Sequence, residues 1–148
     1  MRTDALSRED WLVGGLALLL AIVLLFLPWF SFNLGILSIT HSYTLTATDA
    51  PDGWSGVLAV LACLAIVADL LVERLSPQTT VPNLGGSRTA TRFRLAVIAA
   101  VFVAIKFVFN IHFSDFGFGF WVAVVLTVAL VFVTLRLSQD RPVLNVST

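Results

Sequence analysis

The stretch WLVGGLALLLAIVLLFLPWF, residues 11–30, contains no charged side chain and decides the fold class of this chain. A helix rises about 1.5 Å per residue, so a stretch of this length covers the roughly 30 Å hydrocarbon core of a bilayer. Three further stretches meet the same requirement: residues 54–75, 93–113 and 118–137. The sequence therefore predicts an all-α membrane protein, a four-helix transmembrane bundle that forms one domain over residues 1–148.

The composition agrees with this class. The chain is 58% apolar and 12% charged, whereas soluble proteins are about 45–50% apolar and about 25% charged. The mean hydropathy is +0.96. The formal net charge is zero, so no basic field is available to attract nucleic acid. Cys63 is the only cysteine, which excludes an intrachain disulfide and predicts a small buried side chain. Membrane lipids, and not nucleic acid, are the expected surroundings.

Basic residues are distributed unequally between the predicted connections. The N-terminal segment, the loop at residues 76–92 and the C-terminal tail all carry arginine, whereas the loops at residues 31–53 and 114–117 carry no Lys or Arg. The positive-inside rule then predicts a cell-membrane protein with both termini and the 76–92 loop in the cytoplasm. Residues 11–30 are longer than the roughly 7–15 apolar residues of a signal peptide and lack a small-residue cleavage site, so we expect this helix to be retained.

The first outer loop has the period of a β-strand. From Ile36 to Thr48, serine and threonine alternate with apolar residues, histidine or tyrosine. The pattern predicts a short extracytoplasmic β segment between helices 1 and 2, either one long strand or a hairpin that turns near His41 and Ser42. Because a lone hairpin is marginal in water, we expect it to rest on the second outer loop, the helix ends and the membrane surface. Its unpaired edge could also bind a partner protein.

Tryptophan and small residues indicate how the helices sit and pack. The tryptophans fall near predicted span ends, where the headgroup layer favours an amphipathic ring, and are expected to act as interfacial anchors: Trp11, Trp29, Trp54 and Trp121. Small residues recur every fourth position in two spans: Ser55, Ala59 and Cys63 in the second, and Ala96, Ala100 and Ala104 in the third. Such faces allow close helix approach, so we predict that spans two and three form a tight antiparallel pair.

Lys106 is the ionisable residue that most needs an explanation, because a charge at the centre of a membrane helix costs about 2.5–3.5 kcal/mol. Its ammonium could reach the outer interface, near Asn110, with Asp115, Asp49 or Asp52 as a partner. Two interpretations stay open. Lys106 either pins the outer loops to the bundle or binds an anion, a lipid headgroup or a proton.

Asp69 lies near the cytoplasmic end of span two, where Arg74, Arg92 and Arg94 are candidate partners. Because Asp69 and Lys106 differ in depth by roughly 10 Å, a direct pair between them is not expected. An interfacial ion pair is the preferred interpretation of Asp69, and a carrier site is the alternative.

Residues for chemistry are sparse elsewhere. His41 and His112 are both predicted outside, but two distant histidines are weak evidence for a metal site, and none is predicted. The sequence contains no nucleophile elbow, phosphate-binding glycine loop, paired catalytic carboxylates or CxxC motif. We therefore predict no catalytic residues, no cofactor and no enzymatic activity.

Several short motifs resemble a known class of proteins. They are Leu27-Pro28-Trp29-Phe30 at the end of span one, Ala68-Asp69-Leu70 and Glu73-Arg74-Leu75-Ser76-Pro77 at the end of span two, and Lys106-Phe107 in span three. With them, the whole chain resembles the small four-span membrane proteins common in actinobacteria. The layout also resembles that of the claudins, but the paired loop cysteines and the Gly-Leu-Trp motif of that family are missing, so only the architecture is analogous.

Three functions are compatible with these features. The leading hypothesis is a non-catalytic accessory or scaffold subunit of a cell-envelope membrane complex, which binds another membrane protein or a second copy of itself. One alternative is a protein that handles lipid or a small solute around Lys106. The other is a sensor whose outer β segment binds a ligand.

Overall fold

The computed structural model describes residues 8–36, 39–49, 52–76, 78, 86–111 and 116–139, with the backbone alone at residues 32–36 and 39–42. Within these residues the chain forms four helices and one small sheet. In chain order the elements are α1 (Arg8–Phe26), β1 (Phe30–Ile36), β2 (Ile39–Leu45), α2 (Gly53–Leu75), α3 (Arg88–Phe109) and α4 (Phe118–Gln139). The mostly helical architecture and the β segment between the first two helices are thereby confirmed.

The four helices form a closed ring in which α1 contacts α2 and α4, and α3 contacts the same two helices from the other side. Apolar side chains from all four fill the centre of the ring, among them Leu20, Leu24, Ile66 and Leu130. Cys63 is buried there as well. The sheet lies at one end of the bundle, which we call the hairpin end. The opposite end carries the start of α1, the end of α2 and the start of α3.

Three helices are long and apolar enough to cross a membrane: α1, α2 and α4, with 19, 23 and 22 residues. The third helix is as long as α4 but more polar, because Arg88, Arg92 and Arg94 lie in its first two turns and Lys106 lies in its last. A membrane protein follows from the three apolar helices. That α3 is a fourth span stays a prediction.

The helix bounds differ from the prediction at two places. The first helix ends at Phe26, earlier than predicted, because Pro28 lacks an amide hydrogen and disfavours helical backbone at the residue before it. The third helix begins at Arg88 and ends at Phe109, a shift of a full turn toward the N-terminus. Ser87 caps its start: the side chain of Ser87 accepts a hydrogen bond from the amide of Ala90 at 3.1 Å.

The β segment is an antiparallel hairpin, and it begins earlier than predicted. β1 pairs with β2 from Phe30 opposite Leu45 to Ile36 opposite Ile39. The chain therefore reverses between Ile36 and Ile39, and the predicted turn near His41 and Ser42 is wrong. The alternative prediction of one long strand is also wrong, because the segment forms two paired strands. The reason is that residues 30–36 also alternate with period two, a pattern hidden in the sequence because it continues an apolar run.

The register sorts the hairpin into two faces. The even positions of β1 and the odd positions of β2 share one face: residues 30, 32, 34 and 36 with residues 39, 41, 43 and 45. This face has aromatic and aliphatic residues at seven of its eight positions, while the other face has only Ser, Thr, Asn and Gly. The face with Phe30 continues to Phe116, which forms a β bridge with Phe30 and contacts its ring. The hairpin is thus attached to the bundle at its base.

Candidate functional site

A buried ion cluster lies at the end of the bundle opposite the hairpin. Arg92 of α3 is only 4% exposed. Its Nε donates a hydrogen bond to Oδ2 of Asp69 at 2.7 Å, and its Nη1 donates to Oδ1 of Asp10 at 3.0 Å. Its Nη2 donates to Glu73. We call these four residues the arginine cluster; it joins α1, α2 and α3.

The helices place the three carboxylates around one guanidinium. Asp69 and Glu73 are four residues apart and therefore share a face of α2, and Asp10 lies in the first turn of α1. Arg88 adds a second cation, 3.9 Å from Glu73. A guanidinium offers five donors in a planar fork, so one arginine can bind carboxylates on two helices at once. The cluster connects the ends of three helices. Asp69 forms an ion pair in it.

A second polar centre lies at the hairpin end, around Lys106. The side chain of Lys106 is 1% exposed, and its Nζ donates a hydrogen bond to the backbone carbonyl of Asp49 at 3.1 Å. The Nδ2 of Asn110 donates to the carbonyl of Lys106 at 2.8 Å, while the buried Oδ1 of Asn110 has no hydrogen-bond partner among the described residues. We call Lys106, Asn110 and the Asp49 carbonyl the lysine centre. It attaches α3 to the loop that precedes α2.

The loop of the lysine centre has its own internal bonds. Oδ2 of Asp49 accepts hydrogen bonds from the amide of Thr46 at 2.7 Å and from its hydroxyl at 2.8 Å. These bonds favour the ionised carboxylate and lower the pKa of Asp49, with a smaller contribution from the charge of Lys106. We call Thr46–Asp49 the outer turn. The amide of Ala47 also donates to the carbonyl of Leu24, so the outer turn contacts the end of α1 as well.

Glycines let the outer turn sit directly on α2. A Cβ atom at Gly56 would overlap the carbonyl of Ala47, and one at Gly53 would overlap the carbonyl of Thr48. Any larger residue would push the turn away from the first turns of α2. The outer turn therefore contacts α1, α2 and α3 at once and closes this end of the bundle.

The base of the hairpin is joined to α4 in a similar way. The carbonyl of Trp29 accepts a hydrogen bond from the amide of Gly117 at 2.7 Å, and that of Pro28 accepts one from Gly119 at 3.0 Å. The first amides of a helix have no acceptor within the helix. Here the carbonyl of Pro28, in the segment after α1, accepts the hydrogen bond from Gly119 of α4. The ring of Trp29 meets that of Phe120 edge to face, with centroids 5.4 Å apart.

The structure places the predicted anchors unequally. Trp11, Trp54 and Trp121 are at least half exposed near helix ends, as an interfacial position requires. Trp29 is 1% exposed and packs inside the bundle, so its predicted role as an anchor is wrong. The reason is that α1 ends at Phe26, so Trp29 lies in the base of the hairpin and not at the end of a helix.

The small-residue faces are also only partly as predicted. Ser55, Ala59, Cys63 and Ala96 are buried, and α2 packs against α3. Ala100 and Ala104, however, lie on the side of α3 that faces α4. The buried stripe of α3 instead follows alternating steps of four and three, through residues 92, 96, 99, 103, 106 and 110. The polar residues Arg92, Lys106 and Asn110 therefore point into the ring, and a step of four throughout drifts away from it.

Ala100 and Ala104 line a groove of about 560 Å³ between α3 and α4. Aromatic residues close the groove toward the hairpin end, where the rings of Phe107 and Phe120 stack with centroids 5.3 Å apart. Thr127 is a polar lining residue, and its hydroxyl donates a hydrogen bond to the carbonyl of Ala123 at 2.6 Å. The other described residues that line the groove are apolar. The groove runs along the outside of the bundle.

Some candidates were missed by the sequence reasoning, and others lie beyond the structure. Asp10 and Glu73 were not predicted as partners of Arg92. Counting residues from the helix ends could have shown that all three lie at a similar depth in the bundle. The outer turn was missed because its bonds are between backbone and side chains that are close in sequence. Asp115 and His112 lie outside the described residues. Within residues 8–36, 39–49, 52–76, 86–111 and 116–139, no three Asp, Glu, His or Cys form a metal-binding group.

Each polar centre places a buried cation of α3 within hydrogen-bond distance of oxygen atoms on a neighbouring segment. A scan against protein-family models finds no match for the chain, and searches of the curated proteins and of the solved structures find none either.

Proposed function

We propose that this chain is a four-span protein of the cell membrane with both termini in the cytoplasm. The hairpin end would then face outward. Support for α3 as the fourth span comes from its length of 22 residues, equal to that of α4, and from its place in the ring between α2 and α4. Its buried cations, Arg92 and Lys106, contact partners on neighbouring segments, which lowers the cost of placing them in a membrane.

We further propose that the protein is a non-catalytic accessory or scaffold subunit of a cell-envelope complex. One observation carries this proposal: within the described residues, both cations of the bundle interior are held by intramolecular contacts. Arg92 binds three carboxylates, and Lys106 binds a backbone carbonyl. Interior charges that take part in transport or catalysis need access to a substrate, whereas these maintain the shape of the bundle.

The outward surfaces are where partners would bind. The lipid-facing sides of the helices are apolar, and the apolar face of the hairpin continues beyond its base with Tyr43, which is 58% exposed. The hairpin carries no charged residue between positions 30 and 45. A neutral, apolar, extracytoplasmic face suits another membrane protein or a second copy of this chain better than a charged soluble ligand.

The topology is tested with reporter fusions whose activity depends on the compartment. We expect fusions at both termini and within residues 77–85 to report the cytoplasm, and an insertion at residues 37–38 to report the outside. Termini on opposite sides of the membrane would contradict four spans, because an even number of crossings returns the chain to its starting side.

The scaffold role is tested by affinity purification of tagged protein in mild detergent after crosslinking. We expect another membrane protein or a second copy to copurify with the wild-type chain. An Arg92→Ala variant, whose bundle should be disrupted, is the matched control: a partner that still copurifies with it is nonspecific. Recovery of only the isolated monomer would contradict the proposal.

A further inference from the structure

The groove between α3 and α4 has the dimensions and chemistry of a lipid site. It extends from Ala100 to Phe107 on α3 and from Phe120 to Val128 on α4. At about 1.5 Å per residue these segments are about 12 Å long. Half of a roughly 30 Å hydrocarbon core is about 15 Å, so the groove covers one leaflet of a bilayer and stops near its middle.

The lining excludes most classes of ligand. Among the residues that the structure describes, no charged side chain lines the groove, and the hydroxyl of Thr127 is already bonded to Ala123. A headgroup, an ion or a polar solute would lose its hydration there without gaining a partner. The ligand that fits this surface is hydrocarbon.

The groove is continuous with the surface that contacts lipid. Trp121 and Val128 line it and are 60% and 64% exposed on the side of α4 that faces away from the bundle. Ala100 and Ala104 form the shallow side on α3, where larger residues would fill the space. A chain that enters the groove therefore comes directly from the surrounding leaflet.

Length distinguishes a hydrocarbon chain from a partner helix. A helix that crosses the membrane packs against its neighbour through both leaflets. The groove covers the depth of one leaflet, which is the depth that one acyl chain occupies.

We propose that this groove binds a single acyl chain of a membrane lipid, in the leaflet on the hairpin side of the bundle. The proposal rests on the membrane-spanning arrangement proposed above. Phe107, Phe120 and Trp121 set the end of the site toward the headgroups, where aromatic rings are favoured. The bound lipid would be held more tightly than its neighbours because it contacts protein on several sides and not on one.

The test uses a phosphatidylcholine with a photoreactive diazirine in the middle of one acyl chain. The full-length protein is reconstituted in vesicles of phosphatidylethanolamine and phosphatidylglycerol that contain this lipid, irradiated, and mapped by peptide mass spectrometry. We expect adducts concentrated on residues 100–107 and 120–128. The variant Ala104→Phe, which fills the groove, should lose them.

The matched control is Val101→Phe. Val101 lies on the same helix at the same depth, is exposed, and does not line the groove, so this variant should retain the adducts. If Ala104→Phe does not fold, Val128→Trp fills the groove from α4 and should give the same loss. Adducts spread evenly over all lipid-facing helices, or unaffected by filling the groove, would overturn the proposal.

Two further measurements separate this proposal from the proposed topology and from a protein interface. Adding the lipid to one leaflet only tells which leaflet supplies the groove: labelling from the cytoplasmic leaflet would support the site and contradict the orientation. An Ala104→Cys variant that crosslinks to another polypeptide in place of lipid would overturn the acyl-chain site.

Discussion

The two ends of the bundle bind a buried cation in different ways. Each end contains a nearly buried cation on α3. Arg92 is bound by three carboxylates from two other helices, whereas Lys106 is bound by a backbone carbonyl of the outer turn. The first end is therefore held mainly by side-chain ion pairs, whereas the second depends also on the path of the backbone. Substitutions should consequently have effects of different size and kind at the two ends.

Loss of the cation in the arginine cluster should give the largest effect. Arg92→Ala would leave the carboxylates of Asp10, Asp69 and Glu73 close together without their shared partner. We expect the free energy of unfolding to fall by about 3–5 kcal/mol, the cost of breaking a buried ion pair on one side. Thermal and denaturant unfolding in detergent measure this change. Arg8→Ala, an exposed arginine at the start of α1, should change it by no more than about 0.5 kcal/mol.

At the hairpin end, backbone shape should matter more than charge. Gly56→Ala would place a methyl group against the carbonyl of Ala47 and displace the outer turn. We expect a loss of about 1–3 kcal/mol, the usual cost of overpacking. Gly15→Ala is the control, because nothing lies within 4 Å of that position and alanine favours the helix. Equal stability of the two variants would show that the outer turn is not held in contact with α2.

Removal of the cation at the hairpin end should have a smaller effect than its removal at the other end. Lys106→Met loses the bond to the carbonyl of Asp49 but also removes the cost of a buried ammonium. We expect a net loss of about 1 kcal/mol. The same variant tests the alternative in which Lys106 binds a lipid headgroup or a solute: a variant that retains both assembly and the cellular phenotype would argue against that alternative. A loss as large as that of Arg92→Ala would remove the contrast between the two ends.

Protonation of Asp49 in acid should have the smallest effect on stability. Its pKa is lowered from the usual 3.8 by the hydrogen bonds from Thr46. A carboxyl whose pKa is lowered on folding contributes stability above its unfolded pKa, and that contribution is lost as the pH falls through the lowered folded value. We therefore expect the outer turn to weaken below a pH of about 3.8. Asp49→Asn should show a smaller difference in melting temperature between pH 7 and pH 3 than the wild type.

The contrast between the ends also explains what the sequence could predict. The four helices followed from long apolar runs, because a run of about 20 mostly apolar residues is typical of a membrane helix. Asp69 was placed near the correct arginines because depth can be counted along a helix. Trp29 and the hairpin start were misplaced, since residues 29–36 continue an apolar run and only Pro28 marks the change.

Faces were harder to predict than spans. The stripe of Ala96, Ala100 and Ala104 follows a step of four, but the helix repeats every 3.6 residues, and the true buried stripe includes Arg92, Lys106 and Asn110. Polar residues were expected at the edges of the membrane, not inside the ring. The outer turn depends on glycines that let two backbones touch, and close backbone contact leaves no periodic pattern in a sequence.

The amides of Gly117 and Gly119, at the start of the last helix, donate hydrogen bonds to the carbonyls of Trp29 and Pro28. The base of the hairpin therefore depends on a segment that lies about 90 residues later in the chain. Until α4 is made, the edge of β1 at Phe30 and these two carbonyls stay open, and an open strand edge pairs readily with other chains. A chain that stops before residue 117 lacks the two amides that bind these carbonyls. The base of the hairpin is therefore completed only when the segment at the start of α4 has been synthesised.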